Sequence, residues 1–261
     1  MTLEVNYHTH TYRCNHAEGR DREYVEKAIE NGIKILGFSD HAPMIYDTPG
    51  YYGGFRMKPA EAYEYCRSIS DLKEKYKNDI EIHLGLELEY YPATHGRLMK
   101  FIRELPVEYL LLGQHFVESE ENEAPSGRAS DDAERLKKYY GNVLEGLETG
   151  DFLYVAHPDL INFTGEEEIF AEESRKFLTQ VKKLDIPVEI NRLGFSDKRN
   201  YPNDIFWQIA GQVGNKAIIG ADAHSPRHFE DKAGINGCAE IAERYGIELV
   251  DKLSLPAKAF R

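Results

Sequence analysis

Two pairs of potential metal ligands lie far apart in the sequence and share the same spacing. His8 and His10 follow one apolar run, and Asp222 and His224 follow another one late in the chain. In an extended strand, residues i and i+2 point to the same side, so each pair can present two ligand atoms to one point. The first and last strands of a closed barrel are neighbours, and the two pairs would then form one metal site.

Histidines and carboxylates also follow the other apolar runs of the chain. Together with the two pairs, the candidate metal ligands are His8, His10, His16, His41, Glu87, His115, His157, Asp222 and His224. In α/β barrels, the active site is built from the C-terminal ends of the strands and the loops that follow them. The pattern therefore predicts that these side chains converge at one barrel mouth.

A metal centre explains this set better than a purely structural role does. A single histidine after a strand is more often a hydrogen-bonded turn or core residue than a ligand. Several imidazoles at one point would repel one another if they were protonated. If they were neutral and buried without hydrogen-bond partners, each would cost about 1–3 kcal/mol of folding free energy. Neutral imidazole with carboxylate suits zinc, iron or manganese. At three or four protein ligands per open catalytic site, the set predicts roughly two to three divalent ions.

The segments that carry these residues alternate between strand and helix patterns. Short apolar runs predict seven strands, near residues 3–7, 33–38, 80–86, 107–113, 152–156, 186–190 and 216–221. The segments between them have apolar residues at helical spacing. This alternation predicts a parallel α/β sheet with right-handed crossovers. Because no linker rich in proline, glycine or serine interrupts it, we expect one barrel domain over residues 1–261 rather than two smaller domains.

The longest irregular stretch covers about residues 42–58 and carries two prolines and three glycines. A loop of this length is usually functional or mobile, so we predict that it is a lid over the site. Its aromatic residues Tyr51, Tyr52 and Phe55 could cover a substrate or could pack the lid in place.

The composition limits the classes of partner. The net charge is −13, from 32 basic and 45 acidic residues, which argues against nucleic-acid binding. A small anionic substrate stays possible, because bound divalent cations can reverse the local sign of charge. Three widely spaced cysteines are typical of a reducing cytoplasm, and no apolar run is long enough to span a membrane. We therefore expect a cytoplasmic protein without membrane contact, of open oligomeric state.

The motifs that carry this chemistry resemble those of the PHP (polymerase and histidinol phosphatase) superfamily. They are His8-Thr9-His10, His16, Asp40-His41, Glu87, His115, His157 and Asp222-Ala223-His224, in order along the chain. Other stretches are similar to its histidinol-phosphatase branch, namely Cys14-Asn15-His16-Ala17, Asp40-His41-Ala42-Pro43, Arg56-Met57, Glu189-Ile190-Asn191 and Tyr201-Pro202. The resemblance implies a distorted (β/α)7 TIM-like barrel with a trinuclear metal site, in agreement with the seven predicted strands.

The resemblance also implies three ligand sets, with Glu87 as the bridge between the first two ions. They are His8, His10 and Asp222 for the first ion, His115 and His157 for the second, and His16, His41 and His224 for the third. Glu89 lies on the same strand face as Glu87 and is the competing bridge. Asp40 is expected to orient a ligand rather than bind metal.

These features favour a metal-dependent phosphomonoesterase that uses metal-bound hydroxide, with L-histidinol phosphate of histidine biosynthesis as the leading substrate. Asp222 and His224 are the candidate catalytic residues. The candidate phosphate-binding residues, in order of preference, are Arg199, Arg192, Arg227 and Arg128. Candidates for the cationic end of the substrate are Glu18, Glu189 and Tyr90. The alternatives are a PHP phosphoesterase for another small phosphate ester or nucleotide, and a non-catalytic, metal-stabilised PHP module.

Overall fold

Parallel strands form one sheet in the order in which they occur along the chain. The computed structural model describes residues 1–46, 48 and 50–255. Within that part of the chain the sheet has eight strands, all in parallel pairs. They are β1 (Val5–Asn6), β2 (Ile35–Phe38), β3 (Glu81–Leu88), β4 (Tyr109–Leu112), β5 (Tyr154–Val155), β6 (Val188–Asn191), β7 (Lys216–Gly220) and β8 (Glu248–Leu249).

The α/β, TIM-like fold predicted from the sequence is confirmed, with one added strand. Strands β1 to β7 lie at the seven predicted positions. The eighth has only two residues and pairs with the start of β7, through Lys216 with Glu248 and Ala217 with Leu249. Two residues are too few to give a recognisable periodicity, so this strand was not predicted.

The sheet curls until its first and seventh strands meet at their C-terminal ends. Thr9 and Ala223 form a parallel bridge just beyond β1 and β7. The His10 amide donates to Ala223 O at 2.9 Å, and the Ala223 amide donates to His8 O at 3.2 Å. The hydrogen bonds that close the barrel thus run between the residues that carry the two predicted ligand pairs.

Helices connect the strands and cover the outside of the sheet. They are α1 (Asp21–Glu30), α2 (Pro59–Lys75), α3 (Pro92–Ile102), α4 (Ala133–Glu148), α5 (Glu167–Lys183), α6 (Arg192–Ser196), α7 (Asp204–Val213) and α8 (Lys232–Tyr245). Each long helix buries one apolar face, as helical spacing requires. In α2 that face consists of Ala62, Tyr65, Cys66, Ile69 and Leu72. Short 3₁₀ turns at Tyr12–Cys14 and Pro226–Glu230 follow β1 and β7.

Large side chains fill the barrel below the site. Tyr7, Tyr109, Tyr154, Leu111 and Ile218 are buried together inside the sheet. The Tyr109 hydroxyl lies 2.7 Å from Tyr7 O and 3.0 Å from Phe38 O, so it links β4 to the ends of β1 and β2. A packed interior leaves the C-terminal mouth as the place for chemistry.

Parts of two sequence predictions concern residues outside the described ranges. Asp47 and Pro49 of the predicted lid, and residues 256–261 of the predicted domain, lie outside them. Within the described ranges, no helix combines the length and the apolar character needed to cross a bilayer.

Candidate metal centre

Glu87, near the end of β3, lies at the centre of the predicted ligands. The residue is fully buried. Its Oε1 is 2.8 Å from His157 Nε2 and 3.5 Å from His8 Nε2. Its Oε2 is 3.0 Å from His41 Nδ1 and 3.6 Å from His10 Nε2. None of these nitrogens is aligned for a hydrogen bond, and neither oxygen accepts one from any described residue.

Asp222 is the second carboxylate that faces the imidazoles. Its Oδ1 is 3.0 Å from His10 Nε2 and 3.4 Å from His8 Nε2, and it also has no hydrogen-bond partner among the described residues. The backbone is in the left-handed region at Asp222, with φ of 46°, and at His157, with φ of 28°. That conformation costs on the order of 1–3 kcal/mol for such residues and is concentrated at functional sites.

His16 and His224 show most directly that this centre requires a cation. His16 Nδ1 lies 2.8 Å from Cys14 O, and His224 Nδ1 lies 3.1 Å from Asp222 O. A carbonyl only accepts, so each Nδ1 carries the hydrogen and each neutral Nε2 carries a lone pair. The two Nε2 atoms are nevertheless 2.9 Å apart. Two facing lone pairs repel unless a cation lies between them, and His41 completes a group that could hold one.

The same reasoning applies to His8 and His115. His8 Nδ1 is 2.8 Å from Glu189 Oε2, and His115 Nδ1 is 3.0 Å from Glu89 Oε1. These outer carboxylates accept the Nδ1 hydrogen and leave Nε2 free to bind metal, as carboxylates behind metal-bound histidines do. His115 Nε2 lies 3.8 Å from Glu87 Oε1.

Glu89, the competing bridge, faces away from most of the histidines. Its Oε1 is 2.8 Å from Arg56 Nη2 and contacts the outer nitrogen of His115. Burial raises the pKa of Glu89, but the Arg56 guanidinium and His115 lower it to about 2. Glu89 therefore orients a candidate ligand. Asp40 is placed similarly, since its Oδ1 lies 3.5 Å from His10 Nδ1, and it is itself held by Thr11 Oγ1 and the His41 amide, which donate to it.

Small residues make room for the buried carboxylates. A Cβ at Gly113, just after β4, would collide with Glu87 Oε1. A Cβ at Gly220, the last residue of β7, would collide with Glu189 Oε2. Any larger residue at either position would displace a carboxylate that the centre uses.

The buried carboxylates attract positive charge strongly. Burial raises the pKa values of Glu87 and Asp222, but the neighbouring imidazoles, His115 for Glu87 and His8 for Asp222 in first place, hold both well below their usual range. Both groups are therefore ionised at neutral pH, and each needs a cation within bonding distance.

The imidazoles divide into two electrostatic groups. Burial lowers the pKa of His10, but Asp222 and Asp40 raise it to about 9. Burial and the charge of His10 instead lower the pKa values of His41 and His224 well below the ordinary value. In the protein alone, protons on imidazoles such as His10 balance the carboxylates. Divalent cations would supply the same charge and leave every imidazole neutral, so the donor set fits metal.

A cavity of about 620 Å³ opens above this centre. Of the four candidate arginines, Arg199 lines it, and its guanidinium lies 3.1 Å from Tyr201 Oη and 2.9 Å from Asp197 Oδ2. Arg192 is buried and donates twice to Ala221 O. The other two lie elsewhere, Arg227 on a neighbouring cavity and Arg128 on an exposed loop.

The predicted lid contributes one aromatic side chain to the cavity. Phe55 lines it and packs edge-on against His41, with ring centres 5.0 Å apart. Tyr51 packs against Tyr46 instead, and Tyr52 is half exposed. The segment is held to the loop after β4 by the Glu120 carboxylate, which accepts from the Gly54 amide and Arg56 Nε.

The three residues predicted to bind the cationic end of the substrate lie in different places. Glu18 lines the cavity, but Glu189 lies behind His8, and the Tyr90 hydroxyl donates to Glu145. His228, which follows no strand, lines the cavity as well. The sequence signal that could have identified His228 is its position four residues, or about one helical turn, after His224.

The profile of the PHP domain family matches residues 6–193 of the chain. The chain therefore belongs to the PHP domain family. Among its relatives, the probable histidinol-phosphatase of Deinococcus radiodurans is 27% identical, over 87% of this chain and 88% of that protein. The probable histidinol-phosphatase of Schizosaccharomyces pombe is 22% identical, over 92% of this chain and 90% of that protein.

A solved structure shares the fold over nearly the whole length. It is the histidinol phosphate phosphatase of Lactococcus lactis, complexed with zinc, L-histidinol and phosphate. The two structures superpose with a TM-score of 0.73, at 18% identity, over 97% of this chain and 99% of that one. At this identity the likeness establishes a common fold.

Replacing Glu87 by glutamine should lower the metal content of protein purified without chelator by about one equivalent or more, because the amide removes the central negative charge. Elemental analysis by mass spectrometry gives the measurement. Glu81→Gln, at the exposed start of the same strand, is the matched control and should keep the wild-type content. Equal metal content in the wild type and Glu87→Gln would contradict the central position of this carboxylate.

Proposed function

We propose that this protein is a metal-dependent phosphomonoesterase that hydrolyses L-histidinol phosphate to L-histidinol and phosphate. The observation that carries the proposal is the group of imidazole nitrogens around the buried Glu87, beside a cavity that Arg199 also lines. The family of the chain and the names of its relatives support this choice of substrate.

Two to three divalent ions, of zinc, iron or manganese, would occupy the centre. His8, His10 and Asp222 form one group whose ligand atoms lie within 4.8 Å of one another, and His16, His41 and His224 form a second. Glu87 and His157 form a third group together with His8. His115, whose Nε2 lies 3.8 Å from Glu87 Oε1, would complete the ligands of the ion that this group holds. Such ions activate water as a nucleophile and neutralise the phosphoryl oxygens.

Arg199 would bind the phosphoryl group. Its contacts with Tyr201 and Asp197 use two of the five N–H donors of a guanidinium and fix its plane. The remaining donors can pair with phosphoryl oxygens in charge-assisted hydrogen bonds. Tyr201 and Asp197 line the same cavity, so the guanidinium is held at its wall.

Asp222 and His224 would hold metal and serve the proton transfers. The Asp222 carboxylate is ionised at neutral pH and has an oxygen without a hydrogen-bond partner among the described residues. That oxygen can therefore accept a hydrogen bond from the attacking water and orient it. The adjacent His224 keeps its Nδ1 hydrogen on Asp222 O, which fixes the ring with Nε2 towards the centre.

Glu18 is placed to recognise a cationic leaving group. Its carboxylate lines the cavity and accepts from Ser225 Oγ at 2.8 Å. It forms no ion pair with a lysine or arginine in the part of the chain that is described. Glu18 would then face the ammonium or imidazolium end of histidinol, and Arg199, on the same cavity, would bind the phosphate.

A panel of phosphate monoesters tests the reaction and the substrate together. With added manganese or zinc, we expect L-histidinol phosphate to have the highest kcat/KM, because this ester combines the phosphate with a cationic end. Preference for another ester would overturn the substrate assignment but not the proposal that the protein hydrolyses phosphate monoesters. Failure to hydrolyse any ester in metal-loaded protein would overturn the enzymatic proposal.

Replacing Arg199 by alanine should lower kcat/KM by roughly 10- to 100-fold, since hydrogen bonds to charged groups contribute about 1.5–3 kcal/mol. Metal content should stay at the wild-type level, because Arg199 contacts no candidate ligand. Arg128→Ala, on an exposed loop, is the control and should keep wild-type kinetics. Wild-type kcat/KM in Arg199→Ala would show that another group binds the phosphate.

A further inference from the structure

His228 lies beside the metal centre but is not one of its ligands. It belongs to the 3₁₀ turn Pro226–Glu230, which follows His224 directly. Its side chain is half-buried and lines the same cavity as Arg199 and Tyr201.

One hydrogen bond fixes the tautomer of His228. The backbone amide of His224 donates to His228 Nδ1 at 3.1 Å. An amide N–H can only donate, so Nδ1 carries a lone pair and the ring hydrogen is on Nε2. Among the described residues, no hydrogen-bond acceptor is paired with this Nε2–H. His228 thus presents an unused hydrogen-bond donor, held in place from behind by the backbone.

We propose that His228 Nε2–H donates a hydrogen bond to the phosphoryl group of the substrate. The proposal rests on the phosphatase function proposed above. In L-histidinol phosphate, the phosphoryl oxygens are charged acceptors, whereas the ammonium offers only donors and the imidazole offers at most one neutral acceptor. A neutral donor on the wall shared with Arg199 therefore matches the phosphate, and the two residues would bind different oxygens of it.

Two substitutions separate this role from a role in holding His224. In His228→Asn, the side-chain oxygen takes the place of Nδ1 and still accepts from the His224 amide, but the distal donor is lost. In His228→Gln, the side-chain amide nitrogen replaces the Nε2 donor, but the acceptor for the His224 amide is lost. His83→Asn, at the opposite end of the barrel on β3, is the control for a histidine remote from the cavity.

The main measurement is binding of inorganic phosphate to metal-loaded protein by calorimetry, with kcat/KM and metal content measured on the same samples. We expect His228→Asn to weaken phosphate binding and lower kcat/KM by about tenfold, the effect of one hydrogen bond to a charged group. His228→Gln should stay within about threefold of the wild type. Metal content should be unchanged in both variants.

Wild-type phosphate binding in folded His228→Asn would overturn the proposal. So would a loss of phosphate binding in His228→Gln, accompanied by a loss of metal, because His228 would then act through His224. If thermal unfolding shows that the asparagine variant does not fold, the glutamine variant decides alone. Inorganic phosphate is bound whichever ester is the substrate, so a failed substrate assignment would leave this test intact.

Discussion

The buried carboxylate of Glu87 is the constraint on which the rest of the site depends. An ionised group without hydrogen bonds in the interior requires positive charge at bonding distance. Four imidazole nitrogens lie between 2.8 and 3.6 Å from its oxygens, but none is aligned to donate. The nearby Nε2 atoms of His16 and His224 also need a cation, because both carry lone pairs. Divalent ions satisfy both requirements at once.

The barrel meets this constraint by fixing four of the candidate histidines from behind. Outer carboxylates hold the Nδ1 hydrogens of His8 and His115, and backbone carbonyls hold those of His16 and His224. The hydrogen bonds between His8, His10 and Ala223 that close the barrel also set the distance between the two ligand pairs. Closure of the sheet and assembly of the centre are therefore the same structural event.

Much of this arrangement follows from the sequence, because ligand pairs at i and i+2 after apolar runs are a local signal. The roles of Arg192 and Arg199 cannot be told apart in the sequence, because both residues follow β6. Only the fold shows that Arg192 donates to Ala221 O and that Arg199 lines the cavity. Glu189 was a candidate for substrate recognition, but it pairs with His8 across the barrel. His228 was missed because it lies on a 3₁₀ turn, where no strand pattern marks it.

Anomalous X-ray diffraction from crystals of metal-loaded protein would locate the ions. We expect a strong peak between the Nε2 atoms of His16 and His224, and at least one more in contact with a Glu87 oxygen. Electron density that shows direct contact between His16 and His224 with no metal between them, and anomalous peaks only at surface residues, would contradict this expectation.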